Sequence, residues 1–212
     1  MADEKITALA ENTAPEDTDL LVMVDDPGGA PATQKITFDN AGLGIKQIVL
    51  HNQLLAAPQA NFAITVSGDP DWIEILLVGR TAQAAAYETC EMYFNGDTTR
   101  TNYRMTYYYF GSSASSGADN FPGVGYVAAN TATANHFGVV KIRVFDPTDA
   151  TRRKNAIYES FVNDTADGSA YSEIGGVLWE NTAAITSIVL QSYNAANWAS
   201  GSRCIAVGYK RI

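Results

Sequence analysis

The chain is poor in the residues and runs that would announce a membrane span, a metal centre or a catalytic site. No apolar run approaches the ~20 residues of a membrane-crossing helix. Histidine occurs twice, at His51 and His136, and neither lies beside a nucleophile motif. There is no metal-spaced His/Cys set, no nucleophile elbow and no phosphate-binding glycine loop. No catalytic residue, metal site or cofactor is therefore expected. Cysteine is confined to Cys90 and Cys204, too few for a disulfide scaffold. Both fall in strand-like apolar runs, where buried free thiols are the default and a single disulfide is the alternative. Basic residues are scarce: 14 Lys and Arg stand against 23 Asp and Glu, with a pI near 4.6. Nucleic-acid binding needs a basic face, so that class is set aside. The opening MADEKITALAEN places Asp3, Glu4 and Glu11 where a secretory signal has a basic start and an apolar run. Synthesis in the cytoplasm without export follows as the expectation. Helical periodicity is almost missing. A short turn over 38–42, capped by Asp39 or Asn40, is the best helical candidate.

What is present is an acidic arm followed by a β-rich body, divided at 1–45 and 46–212. Residues 1–45 contain two basic side chains and nine acidic ones, so −7 of the net −9 sits in the arm. A solvated tail would have no use for its two apolar runs, Leu20-Leu21-Val22-Met23-Val24 and Lys35-Ile36-Thr37-Phe38. They flank a turn-rich connection from Asp25 to Pro31, the pattern of a hairpin. A lone hairpin is marginal in water. Leu20, Leu21, Val22, Val24, Ile36 and Phe38 are therefore the expected anchoring residues, docking the arm onto another surface.

In the body, strands are expected at 46–55, 60–67, 71–81, 87–95, 102–111, 123–130, 136–146, 156–163, 173–180, 185–194 and 202–210. Alternation is clear in places. Val140, Ile142 and Val144 share one face against Lys141 and Arg143. Cys90, Met92 and Phe94 oppose Glu91 and Tyr93. Cys204, Ala206 and Gly208 oppose Ile205, Val207 and Tyr209. Half-buried antiparallel strands give this pattern. About ten strands without helical crossovers predict an all-β antiparallel sandwich with an extended N-terminal arm, a jelly roll being the arrangement expected first. Residues 112–120 read as a flexible small-residue loop, and 163–172 and 193–202 as polar loops.

Candidate binding residues are aromatic. Tyr107 and Tyr109 share one strand face, with Tyr108 and Phe110 on the other. Trp179, Tyr193 and Trp198 lie on or beside loops. Tyr107, Tyr109, Trp179 and Trp198 are the candidate ligand or subunit contacts, since such side chains offer area at small entropic cost. Packing is the commoner use of strand aromatics. Acidic pairs occur at Asp25/Asp26, Asp69/Asp71, Asp146/Asp149 and Asp164/Asp167. The run from Asn163 to Gly168 resembles the start of a calcium loop but lacks its closing Glu. Nothing singles out a facing carboxylate pair for glycoside hydrolysis.

The arm resembles an N-terminal segment of tailed-bacteriophage virion proteins, in Lys5, Ile6 and Leu9, then Asp19, Leu20 and Leu21, then Val24 and Asp25, and finally Lys35, Ile36 and Thr37. The run Phe94-Asn95-Gly96-Asp97 followed by Asn102-Tyr103 is similar to a strand-turn-strand motif of phage virion β-domains. The ending from Gly201 to Tyr209 resembles their closing strand. Tyr93 departs from the pattern where Arg is usual, and Cys204 and Ala206 interrupt the last motif. The resemblance implies a virion component, commonly a homotrimer, anchored through its arm and assembled in the host cytoplasm. The expected function is structural and non-enzymatic, as a capsid decoration, head fibre or short tail fibre. Its partners would be further copies of itself and other capsid or tail proteins. The arm would add strands to a neighbouring subunit or particle protein. The alternative is a receptor-binding or carbohydrate-binding sandwich that recognises host-surface glycan.

Overall fold

The computed structural model describes residues 20–25, 32–37, 45–110, 115–164 and 169–211. The chain divides into two compact units, 1–46 with 211–212, and 47–210.

In the first unit, β1 (Leu20–Asp25) and β2 (Ala32–Thr37) form an antiparallel hairpin. Leu20 lies opposite Thr37, Val22 opposite Lys35 and Asp25 opposite Ala32. The two apolar runs of the arm thus pair with each other. Phe38 and the expected helical turn over 38–42 lie outside the described residues.

The body is an antiparallel β-sandwich built from two sheets. The larger has eight strands. It begins with β3 (Ile45–Leu54), β14 (Arg203–Arg211), β5 (Trp72–Gly79) and β10 (Gly138–Phe145). It continues with β11 (Lys154–Asp164), β12 (Ser169–Trp179), β7 (Tyr103–Phe110) and β8 (Ser115–Asp119). The smaller runs β4 (Asn61–Thr65), β13 (Ser187–Ser192), β6 (Tyr87–Phe94) and β9 (Gly123–Ala128). The core lies between them because the period-2 alternation puts one apolar set inward on each strand. Ile73, Ile75 and Leu77 of β5 and Val140, Ile142 and Val144 of β10 are fully buried. So are Phe62, Met92, Phe94, Ile188 and Leu190 of the smaller sheet. Cys90 and Cys204 are both buried and free.

Two stretches expected as loops are partly strand. Residues 115–119 form β8, with Gly117 opposite Tyr107. Ser, Gly and Ala have little strand propensity, but β7 offers an open edge whose main-chain groups need partners. The 163–172 loop is mostly the continuation of the β11–β12 ladder, which runs to the pair Asp164 and Ser169.

The β6–β7 connection explains its Asn-Gly-Asp sequence. Asn95 and Gly96 have φ of 52° and 73°, and the Asp97 amide donates to the Phe94 carbonyl at 2.9 Å. Two successive positive φ values define a tight turn of the type that Asn-Gly tolerates best, and here it starts the crossing from the smaller sheet to the larger. A 3-10 turn at Arg100–Asn102 then leads into β7.

Candidate interaction face

Two of the four candidate contact residues are corrected by the structure. Trp179 and Trp198 are 1% and 0% exposed and belong to the core. The Trp179 indole donates to Asp97 Oδ2 at 2.8 Å. Trp198 donates to the Leu190 carbonyl at 3.2 Å and packs on Phe62. Its backbone is bridged to both Gln59 and Thr81, which draws a residue expected on a loop into the end of the sandwich.

Tyr107 and Tyr109 lie on the inner face of β7, half-buried. Tyr107 packs against the core. Tyr109 lies edge-on to Tyr126 and tilted against Tyr171, and Tyr87 completes the group. Beside them the Tyr158 hydroxyl donates to the buried Glu173 carboxylate at 2.5 Å. Burial pushes the Glu173 carboxyl up from 4.5, and the Tyr158 hydrogen bond opposes this only in part. Burial likewise pushes the Tyr126 phenol up to about 12. Gly175 is required here, since a Cβ would lie 2.5 Å from the Tyr158 hydroxyl and from the Thr106 carbonyl.

A second carboxylate, Glu91, is fully buried on β6. Arg100 lies 2.8 Å from it, and the Tyr93 hydroxyl donates to it at 2.9 Å. Burial outweighs these partners and holds Glu91 above its ordinary value. The Arg100 guanidinium also lies over the Tyr193 ring, 4.3 Å from its centroid. These contacts explain why Glu91 and Tyr93 are covered although their strand alternates. His51 is set edge-on against Phe62, and burial lowers its pKa. Among the described residues no group of three or more His, Cys, Asp or Glu is placed to hold a metal ion.

The surface with the greatest capacity to bind is the outer face of the eight-stranded sheet. The ladders align its outward side chains in four rows. One runs Phe110, Ser172, Phe161, Val139, Val78 and Arg203. The next runs Tyr108, Ile174, Glu159, Lys141, Leu76 and Ile205. The third is Thr106, Gly176, Ile157, Arg143, Glu74 and Val207, and the fourth Arg104, Leu178, Asn155, Phe145, Trp72 and Tyr209. Ile157, Phe161 and Ile174 are 51%, 52% and 50% exposed. Tyr108, Phe110, Leu76, Val139 and Phe145 are also exposed. Soluble monomers rarely leave an apolar surface this continuous, and when they do it usually marks an interaction site.

The charges at the centre of the face are paired across strands. Lys141 Nζ is 3.5 Å from Glu159. Arg143 Nε donates to Glu74 at 3.0 Å. Gly176 has nothing nearer than the Ala156 carbonyl at 3.4 Å around its missing Cβ. This leaves a depression of about 750 Å³, walled by Tyr108, Ile157, Ile174, Lys141, Arg143 and Glu159.

The sequence had separated Tyr108 and Phe110 from Tyr107 and Tyr109 correctly. It did not single out Ile157, Phe161 or Ile174. A signal was available, because β11 places apolar residues on both faces at Ala156-Ile157-Tyr158 and Phe161-Val162. A strand with one wet face alternates; one with both faces destined for burial does not. No family model, curated protein or solved structure matches the chain.

Proposed function

We propose that the chain is a structural, non-enzymatic protein of a tailed-bacteriophage particle surface, a capsid decoration, head fibre or short tail fibre. It acts as a homotrimer whose jelly-roll-like body assembles through the N-terminal arm. The carrying observation is a pair of incomplete surfaces on one chain. The β1–β2 hairpin has too little of its own to be stable in water, and the sandwich leaves a broad apolar sheet face exposed. Each surface needs a partner, which is the condition of an assembly subunit. The sequence likeness of the arm to phage virion proteins supplies the particle.

Particle incorporation tests this reading. Tagged full-length chain expressed in infected cells should co-purify with density-gradient particles, and the chain lacking residues 1–42 should not. Equal incorporation of both, or of neither, would refute it.

A second reading has one observation in its favour. The depression beside Tyr108 joins an aromatic ring to Glu159, Lys141 and Arg143, groups suited to stacking on and hydrogen-bonding a sugar. On that reading the body recognises host-surface glycan. Saturable binding on a glycan array, lost in Tyr108→Ala, would establish it, and a flat array would remove it.

A further inference from the structure

We propose that Tyr87 and Tyr171 form an oxidative cross-linking site, at which a peroxide-driven one-electron oxidation joins the two rings and staples the smaller sheet to the larger. Cys90 and Cys204 are free, so no disulfide between them ties the two sheets together.

The pair is built by the register of four strands. Tyr87 opens β6 opposite Ala128 of β9, and Tyr171 lies on β12 opposite Val162 of β11. Ala128, Ala132 and Val162 form a small buried cluster against which both rings pack. Two alanines and a valine leave room for two phenols side by side. The ring centroids lie 4.0 Å apart, with 42° between the planes, and the two hydroxyls share a hydrogen bond. Hydroxyls in contact hold the carbons ortho to them at the same end of the pair, which is where a ring-to-ring bond forms.

Distance and angle separate this pair from its neighbours. Tyr109 also hydrogen-bonds Tyr171, but their centroids are 5.4 Å apart. Tyr126 stands edge-on to Tyr87 and Tyr109 at 5.4 and 6.1 Å, and is 5.9 Å from Tyr171. Tyr93 and Tyr103 are perpendicular at 5.8 Å, and both are buried. Edge-on rings do not bring both ortho carbons together. Tyr87 and Tyr171 are half-buried rather than sealed, so an outside oxidant can draw electrons from them.

The oxidant is hydrogen peroxide acting through a haem peroxidase. Each phenol gives up one electron and its hydroxyl proton. One peroxide takes both electrons and both protons and becomes two waters. The two phenoxyl radicals combine through a bond between carbons ortho to their oxygens. The hydrogen on each of those carbons then moves to the oxygen of its ring and restores the phenol. The product is lighter than the parent chain by two hydrogens. The hydrogen bond to Tyr171 and burial push the Tyr87 phenol up to about 12, so at neutral pH its proton is present to leave with the electron.

The test treats the dilute full chain with peroxidase and limiting peroxide. The expected result is dityrosine fluorescence with a single-chain mass on a denaturing gel. Trypsin should release residues 81–100 joined to residues 155–203, lighter than their sum by two hydrogens, with fragmentation placing the link at Tyr87 and Tyr171. Tyr87→Phe and Tyr171→Phe remove only a hydroxyl, and each should abolish that product. Tyr193→Phe, at an exposed ring outside the group, should leave it unchanged. The link closes a long loop in the unfolded chain, so the treated wild type should show a higher urea midpoint than treated Tyr87→Phe. Coupling through Tyr109 or Tyr126 instead, or a product undiminished in Tyr87→Phe, would overturn the site. So would links formed only between chains, or no link while free tyrosine in the same mixture couples. A linked chain whose urea midpoint does not rise would overturn the staple.

Discussion

Replacing Asp97 by Ala should cost about 2–3 kcal/mol, and the arrangement around it explains why. The carboxylate accepts the Trp179 indole N–H at 2.8 Å, the Asn102 amide at 2.9 Å and the Thr99 backbone N–H at 3.1 Å. The Asp97 carbonyl accepts the Tyr103 hydroxyl at 2.9 Å, and that same hydroxyl accepts the Phe94 amide. Only the Trp179 donor is buried; Thr99 and Asn102 are exposed and regain water when the carboxylate is removed. The loss is therefore dominated by one hydrogen bond to a charged group, ~1.5–3 kcal/mol, and by an indole N–H left without a partner. Asp97→Asn keeps an acceptor of the same shape without the charge, and should cost about half as much. Asn102→Ala should stay below about 1 kcal/mol, since it touches an exposed bond. Urea denaturation of the three variants at pH 7 measures all of these. An Asp97→Ala protein within ~0.5 kcal/mol of wild type, the range of ordinary surface changes, would refute the network as the anchor of the β6–β7 corner. The pH dependence has a definite sign. Burial pulls the Asp97 carboxyl up, but the bonds from Trp179, Asn102 and Thr99 outweigh it and hold the group below 3.8. Its contribution is present above the ordinary Asp value and is lost as pH falls through the folded one.

Further outcomes follow from the same geometry. Glu173 is held above 4.5 by burial, so its contribution is most favourable at acid pH and is lost as pH rises through its folded value. Glu173→Gln should therefore gain on wild type as pH climbs from 4.5 to 8 and show no gain at pH 4. Parallel urea midpoints across that range would contradict the assignment. Trp198→Ala should cost about 3–5 kcal/mol, as for large core aromatics. A loss under ~1 kcal/mol would mean that Trp198 is not the core residue seen here. Gly125→Ala combines a φ of 102° with a Cβ 2.3 Å from Ser160 Oγ, and should cost about 1–3 kcal/mol by thermal melt. A neutral result would show that β9 can shift away from β11 without loss.

Most of the body was legible because its signal is local. Strands such as β10 and β14 alternate between apolar and polar residues, and the Asn-Gly pair announces its turn. Strand β8 was not legible: Ser115-Ser116-Gly117-Ala118-Asp119 has no intrinsic preference for a strand and pairs only because β7 presents an open edge. The fates of Trp179 and Trp198 were hidden for a related reason. Their burial depends on Asp97, Gln59 and Thr81, all distant in sequence, and position beside a loop says nothing of that. The candidate site was half visible. Tyr108 and Phe110 were placed on the right face, but the rows joining them to Ile174, Phe161 and Ile157 exist only once the β7–β12–β11 register is set. The apolar arm was legible as a hairpin because its two runs flank a Pro/Gly turn.

The most direct test of the account is light scattering coupled to size exclusion, on the full chain and on the chain lacking residues 1–42. The expected result is a full-length trimer and a folded, single-chain body, because the arm joins the copies. A truncated body that keeps the mass of three chains would place oligomerisation in the sandwich itself and contradict the role assigned to the arm.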